Sequence, residues 1–335
     1  MQLLSNTPLI VAAQRGHGAV VSLLLENGAS IHQQDRSYTT PLAFATLYGH
    51  PEVVNILLNS GANIDALDIL EMTPLSLAAQ RGHASTVHML LERGADIHSP
   101  DKHRKKTPEG RSLLSVAVQR FGCKSNDKIL DFLLKRGANI DAPDQNGCTP
   151  LWWAAKEENI AALNHLLAKG ANPNHINRYR QTILSQATWF SQEMILSLLD
   201  KGAKIDLLAL DLDERRFLLF FAIKRGYQKL VHYLLEKDTN IESIDDRSGW
   251  TPVTWASVLG KVAIVQSLLL KGANINLRDR EGKTSLALVQ QGISAGQEFE
   301  DGDIDYDDID YDTSSPRGPS LADMETLLKE NGGIL

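Results

Sequence analysis

Thr7-Pro8-Leu9-Ile10-Val11-Ala12-Ala13-Gln14-Arg15-Gly16-His17 sets a pattern that returns in phase. Thr-Pro-Leu recurs at Thr40-Pro41-Leu42 and at Thr73-Pro74-Leu75, each copy 33 residues after the last, with Gly-His and then Gly-Ala following at fixed offsets. Self-similarity at such a period marks a repeat architecture. The Thr position is filled by Thr7, Thr40, Thr73, Ser112, Thr149, Thr182, Phe217, Thr251 and Thr284. The closing turn repeats as Gly28-Ala29, Gly61-Ala62, Gly94-Ala95, Gly137-Ala138, Gly170-Ala171, Gly202-Ala203 and Gly272-Ala273, with Asp238-Thr239 in the seventh unit. Eight complete units and a broken ninth emerge.

Each residue type has a physical task. The Thr hydroxyl accepts from the first free N–H groups of a helix, and Pro in the next position has a helical φ and lacks an N–H that was never needed. Leu9, Ala12 and Ala13 then share one face of a first helix, and Val21, Leu24 and Leu25 one face of a second. Gly28 ends the second helix, as suits a residue that tolerates the left-handed conformation. The unit reads as helix, turn, helix, extended turn.

These features, TPLxxAAxxGHxxVVxLLLxxGA, resemble the ankyrin repeat over about nine tenths of the chain. The resemblance implies an all-α repeat solenoid of stacked helix-turn-helix units with β-hairpin loops, a concave face of hairpins and first helices, and a role in protein–protein recognition. One departure is consistent. The His that usually follows Thr-Pro-Leu is replaced by Ile10, Ala43, Ser76, Ser115, Trp152, Ser185, Phe220, Thr254 and Ala287, so the Thr–His bond within each unit is expected to be absent. His17, His50 and His83 occupy one structural position in successive units, where the family uses His to bridge neighbouring repeats.

The 335 residues, 43% hydrophobic, measure repeat number rather than domain count. Met1–Asn6 lacks a secretory leader pattern and the longest apolar stretch, Phe217–Ile223, is too short to span a bilayer. The expectation is a cytoplasmic or nuclear protein with no membrane segment. Cys123 and Cys148 lie in different units without metal-ligand spacing, and read as reduced thiols. No phosphate loop, nucleophile elbow or Cys/His cluster appears, so neither cofactor, metal nor enzymatic activity is expected.

Three segments follow. Residues 1–291 read as the solenoid, 292–320 as a disordered acidic insertion, and 321–335 as a helix that returns to complete the ninth repeat, because Leu327-Leu328-Lys329-Glu330-Asn331-Gly332 echoes Leu24-Leu25-Glu26-Asn27-Gly28. The first unit starts almost at its Thr-Pro-Leu, without a polar capping repeat, which leaves self-association through that end open.

The first-helix ends and hairpins are expected to face a partner. Arg15, Tyr48, Arg81, Arg120, Trp189, Phe190 and Arg225 stand in that register, and Tyr179, Arg180 and Trp250 in hairpins. Arg and aromatic side chains dominate interface hot spots. A basic, aromatic surface calls for one or more proteins with an acidic or mixed acidic-apolar segment.

Charge is segregated. Glu298, Glu300, Asp301, Asp303, Asp305, Asp307, Asp308, Asp310 and Asp312 form a run without a basic residue, and taking these nine charges from the net −7 leaves +2 on the rest of the chain. This run reads as a solubilising segment or as a pseudo-ligand for the basic face. A second insertion, Ser99–Arg111, holds Lys102, Arg104, Lys105 and Lys106, a short basic finger. The acidic run would repel phosphate, so nucleic acid is not the expected partner.

Overall fold

The computed structural model describes residues 7–98, 101–103, 107–119, 127–185, 190–204, 214–237, 239–245, 248–294 and 321–335. They form two compact units. The first comprises Met1–Gln186 and Ser197–Lys204, the second Ala187–Leu196 and Ile205–Leu335.

In the first unit, five repeats begin with helices α1 (Pro8–Gln14), α3 (Pro41–Leu47), α5 (Pro74–Arg81), α7 (Leu113–Ala117) and α9 (Pro150–Lys156). Their second helices are α2 (Gly18–Glu26), α4 (Pro51–Asn59), α6 (Ala84–Glu92), α8 (Asp127–Lys135) and α10 (Ile160–Ala168). First helices pack in series on first helices, and second on second. Each first helix starts where the sequence places it. Thr7, Thr40, Thr73, Ser112 and Thr149 have extended backbone, and their hydroxyls accept from the N–H of Ile10, Ala43, Ser76, Ser115 and Trp152. Ala12, Ala13, Ala45, Ala78, Ala79, Ala154 and Ala155 are buried, and their small side chains let neighbouring backbones approach.

The absent His of the Thr-Pro-Leu motif is replaced by a hydroxyl in four units, at Ser76, Ser115, Ser185 and Thr254, and in three of them it meets the capping hydroxyl. Thr73 Oγ1 lies 3.0 Å from Ser76 Oγ, Ser112 Oγ 3.0 Å from Ser115 Oγ, and Thr251 Oγ1 2.9 Å from Thr254 Oγ1. A short side chain thus supplies part of what the ring would have supplied.

Short hairpins join the repeats, each organised by one acid or amide. Asp35 Oδ1 accepts from the N–H groups of Ser37 and Thr39, Asp68 from Leu70 and Met72, Asp144 from Asn146 and Cys148, and Asn177 from Tyr179 and Gln181, all at 2.8–2.9 Å. Before the fourth repeat the connection lengthens into an antiparallel pair, β1 (Asp101–His103) with β2 (Thr107–Arg111). Arg104, Lys105 and Lys106 of the basic finger lie outside the described residues.

The sixth repeat departs from the pattern. Residues 183–185, the described part of the stretch where a first helix is expected, form a 3₁₀ turn, and α11 (Gln192–Asp200), which contributes to both units, comes next among the helices. Thr182 there is followed by Ile183 rather than Pro.

The second unit contains α12 (Glu214–Arg225) and α13 (Gln228–Leu235), α14 (Pro252–Val258) and α15 (Val262–Leu270), then α16 (Ser285–Ser294) and α17 (Leu321–Glu330). With Phe217 instead of a capping Thr, α12 begins earlier and runs through that position. In the seventh unit, which lacks the closing Gly-Ala, the Thr239 hydroxyl donates to the Leu234 carbonyl at 2.7 Å, a bond that ties down the helix end. Helix α16 extends to Ser294, three residues past the expected end at Gln291, and packs against α17. Met324 and Leu328 of α17 are fully buried, and the Thr284 hydroxyl donates to the Ile334 carbonyl at 2.5 Å.

Candidate protein-binding face

In four repeats the residue after the left-handed turn ties its repeat to the one before. His50 Nε2 donates to the Gln14 carbonyl at 2.9 Å and His83 Nε2 to the Leu47 carbonyl at 3.1 Å. Asn159 Nδ2 makes the same bond to the Val118 carbonyl at 3.0 Å, and the Tyr227 hydroxyl to the Phe190 carbonyl at 3.4 Å. The first three acceptors are free carbonyls at first-helix ends, so the joint satisfies groups the helix itself leaves open. The rings press close: a Cβ added to Gly16 would lie 2.6 Å from His50, and one on Gly49 2.6 Å from His83.

These joints fix where the first helices end, and with them the candidate binding residues. Arg15 and Tyr48 are the closing residues of α1 and α3, and Arg81 is the last of α5. All three are exposed. Tyr48 is held in place by the amide of Gln14, which donates to its hydroxyl at 3.2 Å, and by the Phe44 ring, whose centroid is 6.5 Å away. Gln80 Nε2 makes a parallel bond to Gln119 Oε1 at 3.0 Å.

Hairpin tips supply the rest. Tyr179 is 66% exposed, with its hydroxyl 3.3 Å from Asn146 Oδ1, and Arg180 beside it is exposed. At the position two residues before the cap, which Gly110, Gly147, Gly249 and Gly282 fill in four repeats, three others carry Tyr38 (φ 59°), Glu71 (φ 60°) and Arg180 (φ 61°). A left-handed backbone at a residue with a Cβ costs about 1–2 kcal/mol. Sequence reasoning missed a further feature here, an exposed apolar group at the tips of two adjacent hairpins: Tyr38, Leu67, Ile69 and Leu70. These hairpins are joined by the bond from Ile69 N to the Ser37 carbonyl at 2.8 Å. The signal was present in the bulky residues following Asp35 and Asp68.

In the second unit Arg225 is exposed, its guanidinium 5.6 Å from the Phe221 ring. Lys224 Nζ lies 4.2 Å over the Trp255 ring, and Trp255 meets Trp250 edge-on at 4.9 Å. Two expectations need correction. Phe190 is only 6% exposed, so it belongs to the core and not to an aromatic surface patch. Trp250 is half-buried, and its indole N–H donates to Asp279 Oδ2 at 3.2 Å, so one edge of the ring is already committed. Arg120, Trp189 and the whole acidic run Glu298–Asp312 lie outside the described residues.

Several charges on the second-helix side are paired. Asp131 Oδ1 accepts from Lys169 Nζ at 2.7 Å and His165 Nε2 at 3.2 Å, and the Lys169 bond above all holds its carboxyl below the usual carboxylate range. Hydrogen bonds from Lys271 and Lys329 lower Glu236 and Glu325 in the same way. Exposed pairs of this type add little stability each. Among the described residues no helix is long and apolar enough to cross a membrane.

Comparison with known proteins gives the pattern its family. The model for ankyrin repeats in groups of three matches residues 9–101, 67–144, 114–209 and 206–279, well over half of the sequence. The chain belongs to the ankyrin repeat family. Its ankyrin repeats are 28% identical over 183 residues to the B-cell lymphoma 3 protein homolog of Mus musculus, covering 53% of this chain and 40% of that protein. They are 31% identical over 166 residues to a putative palmitoyltransferase, ZDHHC13, of Danio rerio, covering 49% of this chain and 25% of that one. The chain therefore spans two fifths or less of the length of these relatives. Among solved structures, the ankyrin repeat domain of human ASB11 aligns over 84% of this chain and 91% of its own, at 21% identity and a TM-score of 0.45. Ankyrin repeats in general mediate protein–protein interaction and are non-catalytic.

Proposed function

We propose that this chain is a non-catalytic adaptor or scaffold that binds an acidic or mixed acidic-apolar protein segment on its hairpins and first-helix ends, in the cytoplasm or nucleus. Arg15, Tyr48, Arg81, Tyr179 and Arg180 carry the contact in the first unit, and Arg225 with the half-buried Trp250 carries it in the second. Arg120 and Trp189 stand in the same sequence register and belong to the same proposal.

The observation that supports it most is the strained tip. Tyr38, Glu71 and Arg180 hold left-handed backbones where glycine serves elsewhere in the same chain. Strain retained at an exposed side chain points to a role for that side chain. Arg and Tyr dominate hot spots because each joins a large contact area to a directional polar group.

The residues 292–320 interrupt the ninth repeat in this reading, and 321–335 close it. The acidic run within them favours a second role, as an inhibitory regulator in which the run contributes to blocking.

The test is paired affinity capture from native extract, with the full chain and with Arg15→Glu/Tyr48→Ala/Arg81→Glu. Proteins captured by the first and lost by the second, at retained folding, support the assignment. An unchanged set of captured proteins overturns it.

A further inference from the structure

A cleft of about 310 Å³ opens in the second unit between the hairpins of the eighth and ninth repeats. Trp250, Val258 and Leu288 give it apolar walls, and Asp279, Arg280, Glu281 and Lys283 line it with charge. Those charges differ in what they have left to offer. Asp279 already accepts from the N–H of Glu281 at 2.9 Å, that of Lys283 at 2.8 Å and the indole of Trp250. Lys283 Nζ reaches Glu281 at 2.8 Å, which raises its pKa, and donates to Gln291 Oε1 at 2.9 Å. Arg280 is exposed, and among the described residues its guanidinium has no ion-pair or hydrogen-bond partner. Apolar walls with one uncommitted cation complement a segment in which bulky apolar and acidic side chains alternate.

The chain carries such a segment next to the cleft. Gln291 and Gly292 line the cleft, α16 ends at Ser294, and the acidic run follows at once in sequence. Within it Ile304, Tyr306, Ile309 and Tyr311 are each flanked by aspartates on both sides. Helix α17 resumes at Leu321 against α16, so both ends of the intervening chain are anchored on one repeat. We infer that residues 298–312 occupy this cleft as an intramolecular ligand, with an apolar side chain against Trp250 and Leu288 and a carboxylate on Arg280. Tethering at the rim sets a local concentration on the order of millimolar, so a contact of about 0.1 mM intrinsic affinity is filled in most molecules. An outside acidic segment has to displace it. Only that regulatory consequence rests on the proposed partner-binding role; occupancy of the cleft does not.

The experiment uses the full chain and a version with residues 296–319 replaced by an equal number of Gly and Ser residues. A fluorescein-labelled synthetic peptide with the sequence of residues 298–312 is titrated into each at about 20 mM salt, where charge contacts are least screened, and followed by anisotropy. The expected result is saturable binding to the replaced chain and at least about tenfold weaker binding to the full chain. Arg280→Glu in the replaced chain is expected to weaken binding at least about tenfold, with circular dichroism unchanged because the guanidinium holds nothing in the fold. No saturable binding to the replaced chain, or indifference to Arg280→Glu, overturns the inference. Equal, Arg280-dependent affinity for both chains also overturns it and assigns the cleft to a segment of another protein. Capture by the first unit is read separately, so either idea can fail alone.

Discussion

His83 reaches across a repeat boundary and donates from Nε2 to the carbonyl of Leu47 at 3.1 Å, while its ring covers the face of Gly49. The bond and the close approach together lock two helix pairs into one register. His83→Ala leaves that carbonyl unsatisfied and is expected to lower unfolding free energy by about 1–2 kcal/mol. His83→Asn is expected to lose less, since Asn159 makes the same bond in the fifth repeat. Urea denaturation of both variants gives the comparison.

Gly49→Ala meets two obstacles, a φ of +71° and a Cβ 2.6 Å from the His83 ring. Gly61→Ala, at φ +90° with nothing within 4 Å, meets only the first. The backbone conformation accounts for about 1–2 kcal/mol in each. Gly49→Ala is expected to exceed Gly61→Ala by a further 1 kcal/mol or so, the size of a modest overpacking strain. Equal thermal midpoints would refute the close fit of ring and glycine.

Arg180→Gly relieves a left-handed backbone at an exposed tip and is expected to raise stability by about 1 kcal/mol. The same change is expected to weaken partner capture. A variant that becomes more stable and keeps its full set of captured proteins would remove Arg180 from the binding face.

The folded-state pKa of Asp131 lies below its ordinary 3.8, chiefly through the hydrogen bond from Lys169. A depressed carboxyl contributes stability that is present above the unfolded value and lost as pH falls through the folded one. Lys169→Met is therefore expected to destabilise the chain at pH near 6, by less than about 1 kcal/mol for so exposed a pair. The difference should shrink below the ordinary value and disappear once the pH has fallen through the depressed folded value, where the carboxyl is protonated in either protein. Denaturant midpoints at both pH values test the sign.

Leu328→Ala empties a fully buried site on α17 and is expected to cost about 2–5 kcal/mol. In a repeat stack the loss stays near its origin. Amide exchange should quicken in α16 and α17 and remain unchanged in α1 to α6; uniform acceleration would contradict local stacking.

The helix starts were legible because a Thr hydroxyl and a following Pro act within four residues, and the structure has Thr7, Thr40, Thr73, Thr149 and Thr251 each accepting from the N–H three residues on. Where those residues are missing, legibility failed. Nothing at Phe217 halts the chain, so α12 runs through it, and Thr182 without Pro is followed by a 3₁₀ turn at the described residues 183–185. The arginines at first-helix ends could be read off the period because the period fixes the end of the helix. Exposure of the aromatics could not, since it depends on tertiary neighbours: Phe190 is buried, and Trp250 finds Asp279, a residue 29 positions away. The apolar hairpin tips and the cleft beside Arg280 depend on contacts between repeats, to which a single period is blind.

The joint between repeats ends on a backbone carbonyl, and every amino acid has one. His, Asn and Tyr all serve as donors at that position, so the acceptor side asks of the unit before it only that carbonyl and, where the donor is His, the glycine its turn already carries. Units joined in this way are interchangeable in principle: they can be duplicated, dropped or reordered without a matching change in the neighbour. The length of such a chain is then free to drift, while the tips and helix ends diversify independently of the scaffold that displays them.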